Sequence, residues 1–308
     1  MSIINLHPKN EVSMKKKIFL FTIIVAVLAV VLAGCISKPP HKTFSDPWDN
    51  YEQITYDVTR TLKDGSVIKG VSVMTTERLT NQTITIGKNE LQNFSGTVIT
   101  IDTKLEDNST MFAQVAFKPS FEPVASYKNI AITGHSGSQP ETNINQTTDI
   151  SYNNEKCYYS TNFDGVETND EIKVGKWIKK PYYDNLMLYH IARSSYMNGK
   201  FTAISTKVLS VSDFKMKTLT VAQNKASAIT PIFGESEGGI LADEVKLTLN
   251  QTFPGTGAPM VVTLSKQTSE DYNGLKLSTD RIPLIIKEGD IEYKIKAYVS
   301  AQSAPSNN

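Results

Sequence analysis

The sequence predicts a mainly β protein, an antiparallel curved sheet or incomplete barrel with one helix, at about 185–197, packed on it. Three observations favour this class. Short segments with two-residue hydrophobic periodicity fill the chain from about residue 50 onward, and Val, Ile, Thr and Tyr dominate them. Gly, Asn, Asp or Pro punctuates nearly every gap, which is typical of antiparallel β domains. A single stretch, 181–200, has helical periodicity instead.

The first element in the chain is an export signal, predicted at 1–34. Lys15, Lys16 and Lys17 follow Met14, and an apolar run of 16 residues extends from Ile18 to Ala33. A basic, then apolar, then small-residue order is typical of a secretory signal, so Met14 is an alternative start of the protein. The competing interpretation is a membrane-spanning helix, but such a run rises only about 24 Å against a bilayer core of about 30 Å.

The signal ends in Leu32-Ala33-Gly34-Cys35, which resembles the bacterial lipobox. In lipoproteins of that kind the signal is cut before the cysteine, here between Gly34 and Cys35, and the cysteine sulfur carries acyl chains such as palmitate. The resemblance implies a lipoprotein held on the extracytoplasmic face of a prokaryotic cell membrane, bacterial or archaeal. Two or more acyl chains anchor a protein stably in a bilayer.

The body of the protein is predicted to follow a tether. Prolines and polar residues without periodicity favour a flexible linker at 35–47, a β-rich extracytoplasmic domain at 48–299 and a disordered tail at 300–308. Asp64-Gly65 and the stretch 287–293 predict hairpins. The polar loop 135–149 either divides two lobes or forms a lip within one. The predicted strands are 51–61, 66–76, 83–87, 96–104, 111–118, 156–163, 171–180, 201–211, 217–222, 244–251, 259–266, 282–289 and 291–299.

The helical stretch opens with Asp184, a good N-cap, and Asn198-Gly199 predicts its end. Leu188, Ile191 and Ala192 fall on one face at i, i+3 and i+4. An amphipathic helix among strands needs an apolar partner, so we expect it on the concave side of the sheet. The side chains expected to line a pocket there, or else to cover the sheet, are Tyr183, Leu188, Tyr189, Ile191 and Ala192.

The motifs that resemble catalytic sites are weak, and no catalytic residue is predicted. Ser236 lies in a Gly-x-Ser-x-Gly sequence, but no histidine follows it in the chain and glutamates flank it. Ser136 has His135 as its neighbour, and adjacent strand residues point to opposite faces. We interpret both as turn residues. His190 is expected to be a hydrogen-bonded helix residue rather than a catalytic base.

The composition excludes several other classes of site. Residues 1–34 hold four of the 32 Lys and Arg residues and one of the 31 Asp and Glu residues, so the chain from Cys35 onward has a net charge of −2. Nucleic-acid binding normally needs a strong basic excess, so no nucleic-acid partner is expected. The three histidines that follow Cys35, of four in the whole sequence, lack ligand spacing and predict neither a metal nor a cofactor.

Two residue types raise the question of covalent modification. With Cys35 lipidated, Cys157 has no disulfide partner and is interpreted as a small buried hydrophobe in a strand. Five Asn-x-Ser/Thr sequons become glycan acceptors in a glycosylating cell and are otherwise plain polar surface. They begin at Asn81, Asn93, Asn108, Asn145 and Asn250.

Around the helix, Asp184, Leu188, Tyr189 and Arg193 match an Asp-x-x-x-Leu-Tyr-x-x-x-Arg pattern. With this pattern the region 170–299 resembles a family of secreted, incomplete β-barrel proteins of unassigned function. More distantly it is similar to lipoprotein carriers, whose open barrel holds acyl chains against an inner helix. The resemblance implies a non-enzymatic lipoprotein that binds an apolar or amphipathic ligand in a β cup. The alternatives are a structural or adhesive module of the cell envelope and a serine hydrolase using Ser236 or Ser136.

Overall fold

The computed structural model describes residues 48–133, 144–153, 155–197, 200–210, 214–233, 238–249, 259–266, 269–272, 274–277 and 281–301. All of these belong to one compact unit, His41–Asn308. The predicted signal and tether, with Gly34 and Cys35, lie outside the described residues, as do Ser136 and Ser236. No described helix combines the length and the apolar character that crossing a bilayer requires.

The amino-terminal half is a meander in which each strand pairs antiparallel with the next. The first turn forms at Asp64-Gly65, as predicted: Gly65 has φ +85° and Asp64 accepts a hydrogen bond from the Ser66 amide at 2.9 Å. The strands are β1 Tyr51–Thr61, β2 Val67–Ile86, β3 Asn89–Leu105, β4 Thr110–Phe117, β5 Pro123–Ile132, β6 Ile144–Asn153, β7 Lys156–Phe163 and β8 Val166–Lys173.

The helical segment and the remaining strands follow. After β9 Tyr182–Asp184 come a 3-10 helix, Asn185–Met187, and the helix α1 Leu188–Arg193. The predicted hairpin at 287–293 joins the last two strands. The strands are β10 Tyr196–Met197, β11 Lys200–Phe201, β12 Ile204–Ser210, β13 Lys215–Thr230, β14 Ile240–Leu249, β15 Met260–Ser265, β16 Ser269–Tyr272, β17 Leu275–Leu277, β18 Pro283–Glu288 and β19 Ile291–Ala301.

Within the described residues, 15 of these strands form one sheet in the order β8-β7-β6-β5-β4-β3-β2-β1-β19-β18-β15-β14-β13-β12-β9. The pairs β10–β11 and β16–β17 form two small sheets. The predicted mainly β class with a helix packed on a curved sheet is therefore confirmed. The large sheet carries one parallel pair among the described strands, between β9 and β12.

The sheet curls until strands from its two halves meet through side chains. Asp184 at the end of β9 accepts hydrogen bonds at 2.6 Å from Ser126 of β5 and from Tyr152 of β6. In the described part of the chain no backbone ladder joins β9 to β5 or β6. Side chains alone therefore span this junction, which is the geometry of an incomplete barrel.

Several predicted boundaries differ from the structure. The helix ends at Arg193 and not near 197, because the hydroxyls of Ser194 and Ser195 donate to the carbonyls of His190 and Ala192 and compete with the continuing helix. The strand predicted at 171–180 stops at Lys173, where Gly175 with φ +80° turns the chain.

A third difference concerns 135–149. Strand β6 begins at Ile144 and pairs directly with β5, so the sheet is continuous across this loop, of which 134–143 lie outside the described residues. Strand β5 itself was absent from the sequence prediction. The last strand, β19, continues through Ser300 and Ala301, two residues into the stretch predicted as a tail.

The long β2–β3 hairpin covers the outer face of the sheet. Adjacent residues Val98 and Ile99 are both buried, but they belong to different clusters because neighbouring strand residues point to opposite faces. At the hairpin tip, the Lys88 amide donates to the Asp149 carboxylate of β6 at 2.6 Å. The outer cluster consists of Leu79, Ile86, Phe94, Val98, Ala116 and Ala125.

Candidate functional site

The helical segment brings a set of polar side chains into the barrel, and this interior polar cluster is the candidate site. Its members come from both halves of the chain and lie among the apolar residues of the main core. The helical segment and β9 contribute four of them, and strands contribute the others. The interior polar cluster consists of Glu52, Thr76, Ser126, Lys128, Tyr152, Asp184, Tyr189, His190, Arg193 and Glu288.

Asp184 caps the helical segment and also holds it against the sheet. Its carboxylate accepts from the Leu186 amide at 2.8 Å in addition to the Ser126 and Tyr152 hydroxyls. The predicted N-cap is thus confirmed. Burial raises the pKa of the Asp184 carboxyl, and these three hydrogen bonds together with the charge of Lys128 offset part of that increase.

Arg193 forms a buried, bidentate ion pair with Glu52 of β1. The two guanidinium–carboxylate distances are 2.5 and 3.0 Å, and the two side chains are 0% and 1% exposed. Tyr298 donates to the same carboxylate at 3.1 Å, and the guanidinium lies 5.7 Å from the ring centre of Trp48. Burial alone lowers the pKa of Arg193, but the nearby Glu52 charge and its hydrogen bonds outweigh burial, so the pKa is raised.

His190 is completely buried, and its Nε2 atom lies 2.9 Å from the Thr76 hydroxyl. Its ring packs edge-on against Trp48, with 4.4 Å between ring centres. Burial, with a further contribution from the Arg193 charge, holds the pKa of His190 well below its usual range, so the ring is neutral. Among the described residues its Nδ1 atom has no hydrogen-bond partner, so no carboxylate orients it as in a catalytic triad.

Tyr189 connects the helix to the end of β18, where its hydroxyl donates to Glu288 at 3.3 Å. Burial raises the pKa of Glu288, and the charge of Lys128 and the Tyr189 hydrogen bond offset part of the increase. Burial likewise lowers the pKa of Lys128, while Glu288 and Asp184 partly compensate. The charge of Lys128 therefore influences the ionisation of both Asp184 and Glu288, and their charges influence that of Lys128.

The three polar residues of the Asp-x-x-x-Leu-Tyr-x-x-x-Arg pattern each bind a different part of the sheet. Asp184 binds β5 and β6, Tyr189 binds β18, and Arg193 binds β1, while His190 adds β2. Together these strands span the sheet order from β6 to β18. The cluster therefore fixes one short helix to much of the barrel wall, and its ion pair and neutral histidine are sealed from solvent.

The five side chains expected to line a pocket lie in the main hydrophobic core. The exposed fractions are 1% for Tyr183, 2% for Leu188, 9% for Tyr189 and 0% for both Ile191 and Ala192. They pack against other core side chains of the strands. The structure brings all five together, but as packed core residues.

The surface of the described residues includes three open depressions that the five core residues do not line. One, of about 450 Å³, is lined by polar and charged side chains of the β2–β3 tip and of β6–β8. A second, of about 630 Å³, lies between the β4–β5 turn and the segment that precedes β9. A third, of about 390 Å³, adjoins it at Glu155 and Lys176.

The remaining predicted residues are placed as follows. Cys157 is a free cysteine, buried in β7 as predicted, and burial raises its thiol pKa to about 12. Four sequon asparagines, Asn81, Asn93, Asn108 and Asn145, are exposed, and Asn250 lies outside the described residues. No group of three metal-ligating side chains occurs within the described ranges.

Sequence reasoning missed the six cluster members that lie on the strands of the sheet: Glu52, Thr76, Ser126, Lys128, Tyr152 and Glu288. The sequence does contain a signal that could have found Glu52. It lies two residues before Ile54 and therefore on the same buried face of β1 as Ile54, Tyr56 and Val58. A charged residue on the apolar face of a strand indicates a buried partner. That partner, Arg193, lies 141 residues away, beyond any local pattern.

No family model and no curated protein matches this sequence. Among solved structures, the chain is similar to the crystal structure of a β-barrel-like protein of domain of unknown function DUF1849 from Brucella abortus. The identity is 10% and the TM-score 0.46, and the alignment covers 83% of this chain and 100% of that chain.

Proposed function

We propose that this chain is a lipid-anchored protein on the extracytoplasmic face of a prokaryotic membrane, without enzymatic activity, that serves as a structural or adhesive β module of the cell envelope. Acylated Cys35 is its anchor, as the lipobox-like sequence implies. One observation favours a structural or adhesive module over a protein that carries an apolar ligand. The side chains expected to line a ligand pocket are at most 9% exposed; they are Tyr183, Leu188, Tyr189, Ile191 and Ala192.

An apolar ligand in the barrel would have to displace these packed side chains. Pockets for small molecules are usually largely preformed, mostly apolar hollows of about 300–1,000 Å³. The surface depressions have volumes in this range, but charged and polar side chains such as Lys88, Asp170 and Glu171 line one of them, and Lys118, Glu122 and Glu155 line part of another. These observations therefore favour a function of the protein's outer surface over binding of an apolar ligand inside the barrel.

The buried state of His190 supports the non-enzymatic part of the proposal. It is the one histidine in the described part of the chain, it is 0% exposed, and it is neutral. A general base must reach the proton that it abstracts. We expect Ser136→Ala and Ser236→Ala to leave any background esterase activity unchanged, whereas a loss in either variant would revive the hydrolase interpretation.

Native mass spectrometry of the protein, extracted from membranes and released from detergent, tests the choice of function. A structural or adhesive module gives a single species without bound lipid beyond the covalent anchor, and no saturable uptake of a fluorescent fatty acid. Ile178→Ser is the control, because Ile178 is 67% exposed and can adsorb the probe at the surface. Stoichiometric lipid that persists in Ile178→Ser would reject the module and support a carrier.

A further inference from the structure

The loop between β8 and β9, residues 174–181, combines fixed geometry with an unusual surface. We call it the basic loop. The Trp177 indole donates to the Tyr182 carbonyl at 2.9 Å, and the amides of Lys179 and Lys180 donate to the Lys176 carbonyl at 2.9 and 3.1 Å. Trp177 is buried, at 5% exposed, while the next residue, Ile178, is 67% exposed. The turn therefore holds an isoleucine out in solvent.

The surface around Ile178 is basic. Lys118 and Lys176 are paired with Glu122 and Glu155 at 3.0 and 3.3 Å. Lys179 and Lys180 are exposed, and neither forms an ion pair within the described residues. The patch therefore has an excess of two positive charges around an apolar tip, although the mature chain as a whole is slightly acidic.

The first described residue, Trp48, lies close to the β4–β5 turn that borders this loop. The described chain begins at Trp48, which packs edge-on against Phe121 of the β4–β5 turn with 5.7 Å between ring centres. Lys118, Ser120 and Glu122 of the same turn line the 630 Å³ depression together with Trp177 and Ile178. The stretch 35–47 reaches at most about 45 Å when fully extended, so an anchor at Cys35 keeps this end of the body near the bilayer.

From these observations we propose that the basic loop is a membrane-docking surface, with Ile178 in the interface of an anionic bilayer and Lys179 and Lys180 against its headgroups. The orientation rests on the proposed lipid anchor. Basic side chains next to a membrane are attracted to anionic lipids, and exposed apolar side chains enter the interface. Docking would fix the orientation of the anchored barrel and direct its opposite end outward.

The chain offers a matched control at that opposite end. Val166, at the far end of β8, is 69% exposed, but its neighbours include Asp164 and Glu167, the latter paired with Lys88 at 3.0 Å. Strand β8 has eight residues, so its two ends lie about 23 Å apart, with Val166 at the end remote from the basic loop. The two sites therefore have equal exposure, opposite charge and different expected distances from the membrane.

The test uses the full lipidated protein in vesicles of equimolar phosphatidylglycerol and phosphatidylcholine. Ile178→Cys and Val166→Cys are each labelled with the environment-sensitive dye NBD; Cys157 is buried and does not compete. We expect a blue shift at 178, quenching there by a spin-labelled lipid, and neither effect at 166. Lys179→Glu with Lys180→Glu, or vesicles of phosphatidylcholine alone, should abolish the shift at 178.

Equal emission at 178 and 166, or a shift at 178 that survives the charge reversal, would overturn the docking surface. Failure of the anchor gives a different result, because unacylated protein lacks the lipid mass in an intact-mass spectrum. Protein that carries the acyl mass and shows no shift at 178 therefore rejects docking alone. Unchanged far-ultraviolet circular dichroism shows that the variants are folded.

Discussion

The buried Glu52–Arg193 pair shows how single residues fix the helix in this barrel. Both charges lose their hydration on burial, and a pair of this kind is sustained only by good geometry and additional hydrogen bonds. Here the pair is bidentate, and Tyr298 satisfies a further lone pair of the Glu52 carboxylate. Removal of one partner would leave the other charge buried without compensation.

We predict that Arg193→Met lowers the free energy of unfolding by about 3–5 kcal/mol, because it strands the Glu52 carboxylate in the core. Urea unfolding measures the change. Lys296→Met is the control, since the Lys296–Asp57 pair, at 2.9 Å, is 55% and 59% exposed and should contribute about 0–1 kcal/mol. The double variant Glu52→Leu with Arg193→Met should recover part of the loss. Equal, small effects of the two single variants would refute a structural role for the buried pair.

His190 makes the stability of the fold depend on pH. Its pKa is lowered by burial in the folded state, so below the unfolded value of about 6.5 the unfolded chain binds a proton that the folded chain does not. The stability that the fold derives from neutral His190 is therefore fully present above pH 6.5 and is lost as the pH falls below this value. Asp184 and Glu288 have raised pKa values and act in the opposite direction, so wild type must be compared with a variant of His190 alone.

As the pH falls from 6.5 to 5, we expect the free energy of unfolding of His190→Gln to increase relative to that of wild type, by up to about 1.4 kcal/mol per pH unit. Glutamine has no titrating group, but it keeps a polar atom for Thr76. Urea titrations at matched pH values provide the comparison. A constant difference between the two proteins across this range would mean that His190 is not buried and neutral.

At the scale of elements, the β2–β3 hairpin depends on a glycine at its tip. Gly87 has φ +56°, and a Cβ atom there would collide with the Asp149 carboxylate and the Tyr127 ring. The hairpin approaches β6 this closely because the Lys88 amide and the Asn89 side chain bind Asp149 and the carbonyl of Ile150. Glycine is therefore required at this position for both conformation and space.

Gly87→Ala should destabilise the protein more than Gly165→Ala, although both glycines have positive φ. Gly165, with φ +88°, has open space around its Cβ position, so only the backbone cost of about 1–2 kcal/mol applies there. At Gly87 the collision adds to that cost and weakens the contact with β6. Hydrogen exchange at the Lys88 amide reports the contact directly: we expect faster exchange in Gly87→Ala than in Gly165→Ala. Equal rates would mean that the hairpin tip does not depend on this approach.

Local patterns in the sequence predicted most elements but not their long-range contacts. Alternation predicted β1 and β7 residue for residue, since each strand has one apolar face bounded by turns. Asp184 predicted the start of the helical segment because an N-cap is a local signal. The early end of α1 at Arg193 was missed, since it depends on the rotamers of Ser194 and Ser195, which prefer bonds to the preceding turn.

At the scale of the whole molecule, closure of the sheet depends on contacts that no local pattern encodes. Asp184 lies 58 residues from Ser126 and 32 from Tyr152, yet these three side chains join β9, at one edge of the curled sheet, to β5 and β6. Ile150 and Cys157 extend the junction by packing against Leu209 of β12. Strand content and the lone helix predicted a curved sheet, and the resemblance implied an incomplete barrel. The core positions of the five residues expected to line a pocket became apparent only with the packed structure.

The central claim is that this incomplete barrel, with its packed interior, is carried on a lipidated Cys35. Intact-mass spectrometry of the protein extracted from the membrane fraction tests it most directly, with Cys35→Ser as the comparison. We predict a chain that begins at Cys35 and carries the added mass of its acyl chains, and no such species from Cys35→Ser. A mature chain that starts elsewhere, or one that lacks acyl mass at Cys35, would contradict the account.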